Sequence, residues 1–259
     1  MIGGIMAAAS PPTLVTISIS HYCEKARWAL DRAGIAYDEH RHLPGLHRVA
    51  VRRAGGNLTA PVLVCPEGDV QAESADIIAW ADARVAPERR IIPDDPALAA
   101  EARALAADYD ERLGPHTRRW VYYSLRGRRD LAAPSLTAGV PAWQRGTFRL
   151  TYAPISFVVN KVLDITPETA AASDREMHLV LDEVADRLSD GRPYLVGGRF
   201  TTADLTFAAL AAPLVLPPEY GVALPAIEDL PSDMAATVRE VRTHPAGAHA
   251  LAMFRDERR

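Results

Sequence analysis

The sequence predicts a small α/β domain followed by an all-helical one. A β-branched run at 13–19 passes directly into apolar positions at helical spacing. A charged, proline-broken stretch spans residues 86–97, and beyond it apolar stripes recur with helix-capping residues ahead of them.

The first strand is TLVTISI, residues 13–19, and Cys23, Ala26, Leu30 and Ala33 then mark one face of a helix that Gly34 stops. IAYDEHRHL reads as a second strand and APVLVC as a third, with PEGD turning into a short fourth, VQA. A helix follows from Ser74, whose hydroxyl is placed to cap it, with Ile77, Ile78, Ala81 and Val85 on its apolar face. Three prolines and five charges in APERRIIPDDPA suit a linker, so the expected division is 13–86, a linker at 87–96, and a helical domain at 97–259. There Leu98, Ala102, Leu105 and Tyr109 form one stripe, and Ser173 with Glu176 reads as a capping box ahead of Met177, Val180, Val184 and Leu188. A second box, Thr201 with Asp204, precedes LTFAALAAPLV, which is apolar on nearly every side and reads as a buried central helix. Ser232 opens another helix through Met234, Val238 and Val241. Between 124 and 172, Gly, Pro and Arg interrupt any period, and only APISFVVNKVL is expected to be ordered.

Composition narrows the function. With 48% hydrophobic residues, 259 residues suffice for real cores. The balance of 29 basic and 33 acidic residues, net -4, gives no pull toward nucleic acid, so small molecules are the expected partners. Two cysteines make no disulfide framework, and the opening MIGGIMAAAS lacks the cationic flank and apolar stretch of a secretory signal, which reads as cytoplasmic. No apolar run reaches the ~20 residues of a membrane span.

Three motifs then resemble the cytosolic glutathione S-transferase superfamily. They are the S-x-x-C-x-K-x-R-x-A-L pattern from Ser20 to Leu30, TAPVL at 59–63, and ESADIIAW at 73–80. GRPYLVGGRFTTADLTFAAL, residues 191–210, is similar to the family's helical-domain signature. The resemblance implies a thioredoxin-like N-terminal domain plus an all-helical C-terminal domain, glutathione as cofactor, and a homodimer.

It also assigns roles. Ser20 stands where the family places its catalytic residue and would donate a hydrogen bond to the glutathione thiolate, helped by the positive end of the following helix; otherwise it is a plain helix cap. Cys23 occupies the second position of the redox members' Cys-x-x-Cys pair, and reads either as a reactive thiol or as a small buried hydrophobe. His21 replaces the family's usual proline and introduces a group that ordinarily titrates near neutrality. Pro61 takes the family's cis-proline position, which would leave Ala60 to pair with the cysteinyl backbone. Glu73 and Ser74 suit the γ-glutamyl end, a capping serine for its carboxylate and an acid for its amine. His47, with Arg48, Arg52 and Arg53, falls where family members contact the glycine carboxylate. Tyr22, His116, Trp120 and Tyr123 are candidates for the second-substrate pocket, the last two equally suited to core packing. Asp38, His40 and His42 share one face of a strand, but solvated histidines are the expected reading and no metal is assigned.

Two classes of function follow: a transferase joining glutathione to a small apolar electrophile, or a non-catalytic protein of the same fold binding an apolar ligand or partner. A thiol-disulfide oxidoreductase using Cys23 is a third.

Overall fold

The computed structural model describes residues 10–258; the opening stretch read above for a leader, residues 1–9, lies outside them. Strand β1 (Thr13–Ile17) runs into α1 (His21–Ala33), closed by Gly34 at φ 70°, a left-handed conformation that glycine adopts without strain. Then come β2 (Asp38–His42), α2 (His47–Arg53), β3 (Val62–Val64), β4 (Val70–Gln71) and α3 (Ser74–Asp82). The sheet order is β2-β1-β3-β4, with β1 parallel to β2 and antiparallel to β3, and β3 antiparallel to β4. Side chains alternate across it. Leu14 and Leu63 join the core shared with α1 and α3, while Val15 and Val62 face Val51 of α2. This is the expected thioredoxin-like arrangement.

Two details of α3 differ from expectation. Glu73, extended at φ -123° and ψ 148°, takes the N-cap, and no side chain caps the helix, so Ser74 is its first residue rather than its cap. The helix also stops short of Val85, because Asp82 turns its carboxylate to accept the Ile91 and Ile92 N–H groups at 2.6 and 3.3 Å and so ties the linker down.

The linker makes one 3-10 turn, and α4 (Pro96–Arg112) then begins behind an Asp95 cap that accepts from Ala97 and Leu98 N–H at 2.9 and 3.0 Å, with Pro96 in the first turn. Its buried face is Ala99, Ala102, Ala106 and Tyr109; Leu98 is exposed. After a bend at Leu113 come α5 (Gly114–Ser124), α6 (Arg129–Thr137), α7 (Ala142–Val162), α8 (Pro167–Leu188), α9 (Thr202–Val215), α10 (Ser232–Thr243) and α11 (Pro245–Glu257).

The region from 124 to 172 is therefore mostly helical, contrary to expectation. Pro134 and Pro154 lie inside α6 and α7, and tertiary contacts supply what the local pattern lacks. Leu136, Val140 and Phe148 cluster with Leu43, Gln144 Oε1 accepts the Leu43 N–H at 2.9 Å, and Ser18 donates to the Ala138 carbonyl at 2.7 Å. The α6–α7 pair thus folds back onto the sheet domain. The expected box at Ser173 is also displaced: Thr166 and Thr169 cap α8 reciprocally, with Pro167 in its first turn, while Ser173 is buried within the helix. Thr201 and Asp204 do form their box, and α9 is buried nearly all round. No helix among the described residues is long and apolar enough to cross a membrane.

Candidate active site

The β1–α1 junction is held from several sides. Ser20 N–H donates to the Ile17 carbonyl at 3.1 Å, Tyr220 donates to the Ile19 carbonyl at 2.8 Å, and Arg27 donates to the Ser18 carbonyl at 2.7 Å. The basic residues of the motif are structural. Arg27 pairs with Glu24 and Glu39, both at 2.8 Å, and the buried Lys25 ammonium binds both oxygens of Asp110 at 2.5 and 2.7 Å. Ser20 is the N-cap of α1, half-buried, and its Oγ accepts from the Cys23 N–H at a long 3.4 Å. The Ser20 hydroxyl also bears on the Cys23 sulfur as a hydrogen-bond donor that opposes the effect of burial there.

The neighbours of Ser20 narrow or correct the expectations. Cys23 is fully buried, its sulfur accepts the Ile17 N–H at 3.4 Å, and burial pushes its thiol up, which fits the small buried hydrophobe of the two readings. His21 is buried with Nε2 at 3.1 Å from the Gly114 carbonyl; burial, then the Arg118 charge, push it down to about 3. A carbonyl only accepts, so Nε2 carries the proton and the imidazole is neutral at neutral pH. His21 is therefore not the near-neutral titrating group expected. Tyr22 donates to the Asp110 carbonyl at 2.9 Å and packs so tightly on Gly114 that a Cβ there would overlap its hydroxyl. It joins the two domains rather than lining an open pocket.

The Ala60–Pro61 bond is cis, as the resemblance implied. Because Val62 lies opposite Val15 in antiparallel register, Pro61 and Ala60 follow alongside the end of β1 that leads to Ser20. Glu73 is exposed and Ser74 buried at the start of α3, whose first N–H groups no side chain caps. Glu73's charge is felt at both Tyr22 and Lys25, so it lies on the side of α1's first turns. At the start of α2, His47 Nδ1 accepts the Gly45 N–H at 3.1 Å, and burial and Arg48 push it down to about 4. It is neutral at neutral pH, and the cations there are the exposed Arg48, Arg52 and Arg53.

On the helical side, the expected pocket residues point elsewhere. Trp120 is in the core, Tyr123 is stacked under the Arg126 guanidinium at 3.8 Å, and His116 Nδ1 lies 3.0 Å from Ser173 Oγ on α8. The α5 residues that follow Gly114 at four-residue spacing, and so share its face toward α1, are Arg118 and Tyr122. Tyr152 of α7 is near enough to bear on Tyr122, whose phenol burial pushes up. The sequence signal for these two was their spacing from Gly114, which the aromatic run RRWVYY masked. Of the strand histidines, His40 is exposed and His42 Nδ1 lies 2.8 Å from Gln144 Nε2; no cluster of metal-ligating side chains occurs among the described residues.

Family models for the glutathione S-transferase N-terminal and C-terminal domains match residues 14–89 and 151–236. The chain belongs to the glutathione S-transferase family. No curated protein matches it in sequence. Solved transferase structures share the fold at low identity. One from Methylobacterium radiotolerans, in complex with glutathione sulfonate, is 22% identical over 93% of this chain and 95% of that one, TM-score 0.54. Another from Methylobacillus flagellatus, with glutathione bound, is 18% identical over 95% and 98%, TM-score 0.59. A third, from Phanerochaete chrysosporium, is 16% identical over 96% and 98%, TM-score 0.62.

Proposed function

We propose that this transferase-fold chain binds glutathione and joins its sulfur to a small apolar electrophile. The observation that carries this reading is the half-buried Ser20 hydroxyl at the N-terminus of α1, with cis Ala60–Pro61 beside the strand that leads to it. A thiol is mostly protonated at neutral pH and only its thiolate attacks well. Ser20 Oγ–H donates to the sulfur anion, and the α1 dipole adds to that stabilisation. The thiol proton goes to solvent, since a serine hydroxyl is too weak a base to hold it. In the reaction the C–S bond forms as the leaving group departs with its electron pair. Ala60 offers its backbone to the cysteinyl residue, Ser74 and the uncapped α3 N–H groups hold the γ-glutamyl carboxylate, Glu73 pairs with its ammonium, and the α2 arginines face the glycine carboxylate. Solved transferases carrying glutathione or glutathione sulfonate support this choice of ligand. A Cys23 reductase is disfavoured by the burial of that sulfur.

Calorimetric titration with glutathione tests the reading, and absence of binding at millimolar thiol would overturn it. Ser20→Ala is expected to keep that affinity while raising the bound thiol's pKa, followed by thiolate absorbance against pH; an unchanged pKa would remove Ser20 from the mechanism. Glu73→Ala and Ser74→Ala should each weaken binding by about 1–3 kcal/mol without unfolding the protein. The reading includes the family's homodimer, which a 28.1 kDa species in sedimentation at micromolar protein would contradict.

A further inference from the structure

Three arginine Nε atoms are buried without a hydrogen-bond partner among the described residues, those of Arg32, Arg90 and Arg118. Arg32 and Arg90 nevertheless hold acids through their Nη1 atoms, Glu257 at 2.6 Å and Asp94 at 3.1 Å. Arg118 holds none: its side chain makes no hydrogen bond or ion pair among the described residues. Arg27, Arg119 and Arg258, also drawn inward, are each tied to acids, hydroxyls or carbonyls. The Arg118 Nε is shielded without a partner while the rest of its guanidinium stays accessible and holds no acid, so an anion that reaches it is favoured.

The position of Arg118 says where that anion would come from. Gly114, Arg118 and Tyr122 follow one another at single-turn intervals on α5. The Gly114 carbonyl meets His21 and its Cα is packed on Tyr22, which fixes this face over the first turn of α1, immediately after Ser20. His21, Tyr22 and Tyr122 all lie within reach of the Arg118 charge; the acids Asp110 and Glu73 also act on Tyr22, but neither makes an ion pair with Arg118, Asp110 being held by Lys25. Tyr122 lies one turn further out, toward Tyr152 of α7.

We propose that Arg118 is a specificity residue that binds a carboxylate or similar anion on the second substrate, whose ring packs against Tyr122. The inference rests on the glutathione reading above, in which both carboxylates of glutathione already have places on the sheet domain. Arg118 projects from the helical domain and is left for the electrophile. The favoured substrates are thus flat, apolar and monoanionic.

A matched pair of electrophiles tests this: a chloronitrobenzoate and its methyl ester. In both, the glutathione sulfur forms a C–S bond, the C–Cl bond breaks with its electron pair leaving on chloride, and the thiol proton goes to solvent. With each rate divided by its uncatalysed rate, the wild-type protein is expected to favour the acid. Arg118→Met should lower kcat/KM for the acid by roughly tenfold or more, the loss of a charge-assisted hydrogen bond, and leave the ester within about twofold. Arg118→Lys, which keeps the charge, should recover part of the loss, and glutathione affinity should not move in either variant. Equal losses for acid and ester, no wild-type preference for the acid, or a raised bound-thiol pKa in Arg118→Met would overturn the assignment. If wild type conjugates neither compound, glutathione titration decides the transferase reading separately, and calorimetry with unreactive nitrobenzoate and its ester decides the anion site. Tighter wild-type binding of the acid, lost in Arg118→Met, would support it; equal binding of acid and ester would refute it.

Discussion

Helices α1 and α9 both begin with a hydroxyl residue at the N-cap, yet one start is sealed and the other open. At α9 the third helical residue is Asp204, whose carboxylate takes the Thr201 N–H and hydroxyl at 2.9 Å each and the Leu195 N–H at 2.7 Å, and lies 3.2 Å from His249 Nε2, all in the interior. At α1 the same position holds Cys23, which sends no side-chain bond back to the Ser20 backbone N–H; the serine accepts one long bond at 3.4 Å and its hydroxyl touches the thiol sulfur. What a cap hydroxyl does is thus decided three residues later. An acid there consumes the helix start for stability, whereas a thiol is a weak partner that a ligand's sulfur anion can replace at the hydroxyl.

The strongest way to break the comparison is Asp204→Ala. It strips partners from buried groups on three segments and should lower the free energy of unfolding by about 3–5 kcal/mol. Urea denaturation giving a loss near that of an ordinary cap would show that α9 is not sealed in this way.

The next effect concerns His21, the first residue of α1. In the fold it is held down to about 3, while the unfolded chain takes its proton near the ordinary histidine value. Between those values the unfolded state binds more protons. The stability His21 permits is therefore full above about 6.5 and is lost as pH falls, by up to about 1.4 kcal/mol per pH unit. His21→Gln should flatten the acid limb of stability against pH, and identical limbs in the two proteins would refute the neutral-histidine assignment. Ser20→Ala should show the smallest change in stability, about 1 kcal/mol or less, because its cap is one-sided. A loss comparable with Asp204→Ala would mean that the α1 start is as closed as that of α9.

Much of this was readable from sequence where local period and tertiary fold agree. Leu14 and Val15 alternate across a strand, Ala26 and Leu30 share a helix face, and Thr201 with Asp204 announces a capped start; each makes its contacts where its own period points. The α6–α7 pair was not readable, because Gly139 and the two internal prolines disrupt its period and its partners are Leu43, His42 and Ser18 on a distant segment. Ser173 misled as a cap because the real start lies earlier, where Thr166 precedes Pro167, a signal that was available. In the site, the cis bond followed from resemblance, whereas the neutrality of His21 and His47 depends on burial, which no short motif carries. Arg118 escaped notice for the opposite reason: its significance is a missing partner, and sequence shows only what is present.

The far end of the helical domain fastens the first helix. Arg258 bonds Glu24 and Asp31 at 2.8 Å each, and Glu257 accepts the Trp28 indole N–H on its carbonyl at 3.1 Å and pairs with Arg32 at 2.6 Å. Arg258 lies 234 residues after Glu24. At ribosomal speeds of about 5–20 residues per second, roughly ten to fifty seconds pass between their syntheses. Throughout that interval the nascent sheet domain carries a helix whose acids lack their final partner. The two Arg258 ion pairs consequently form only late in translation, after Arg27 has already met Glu24.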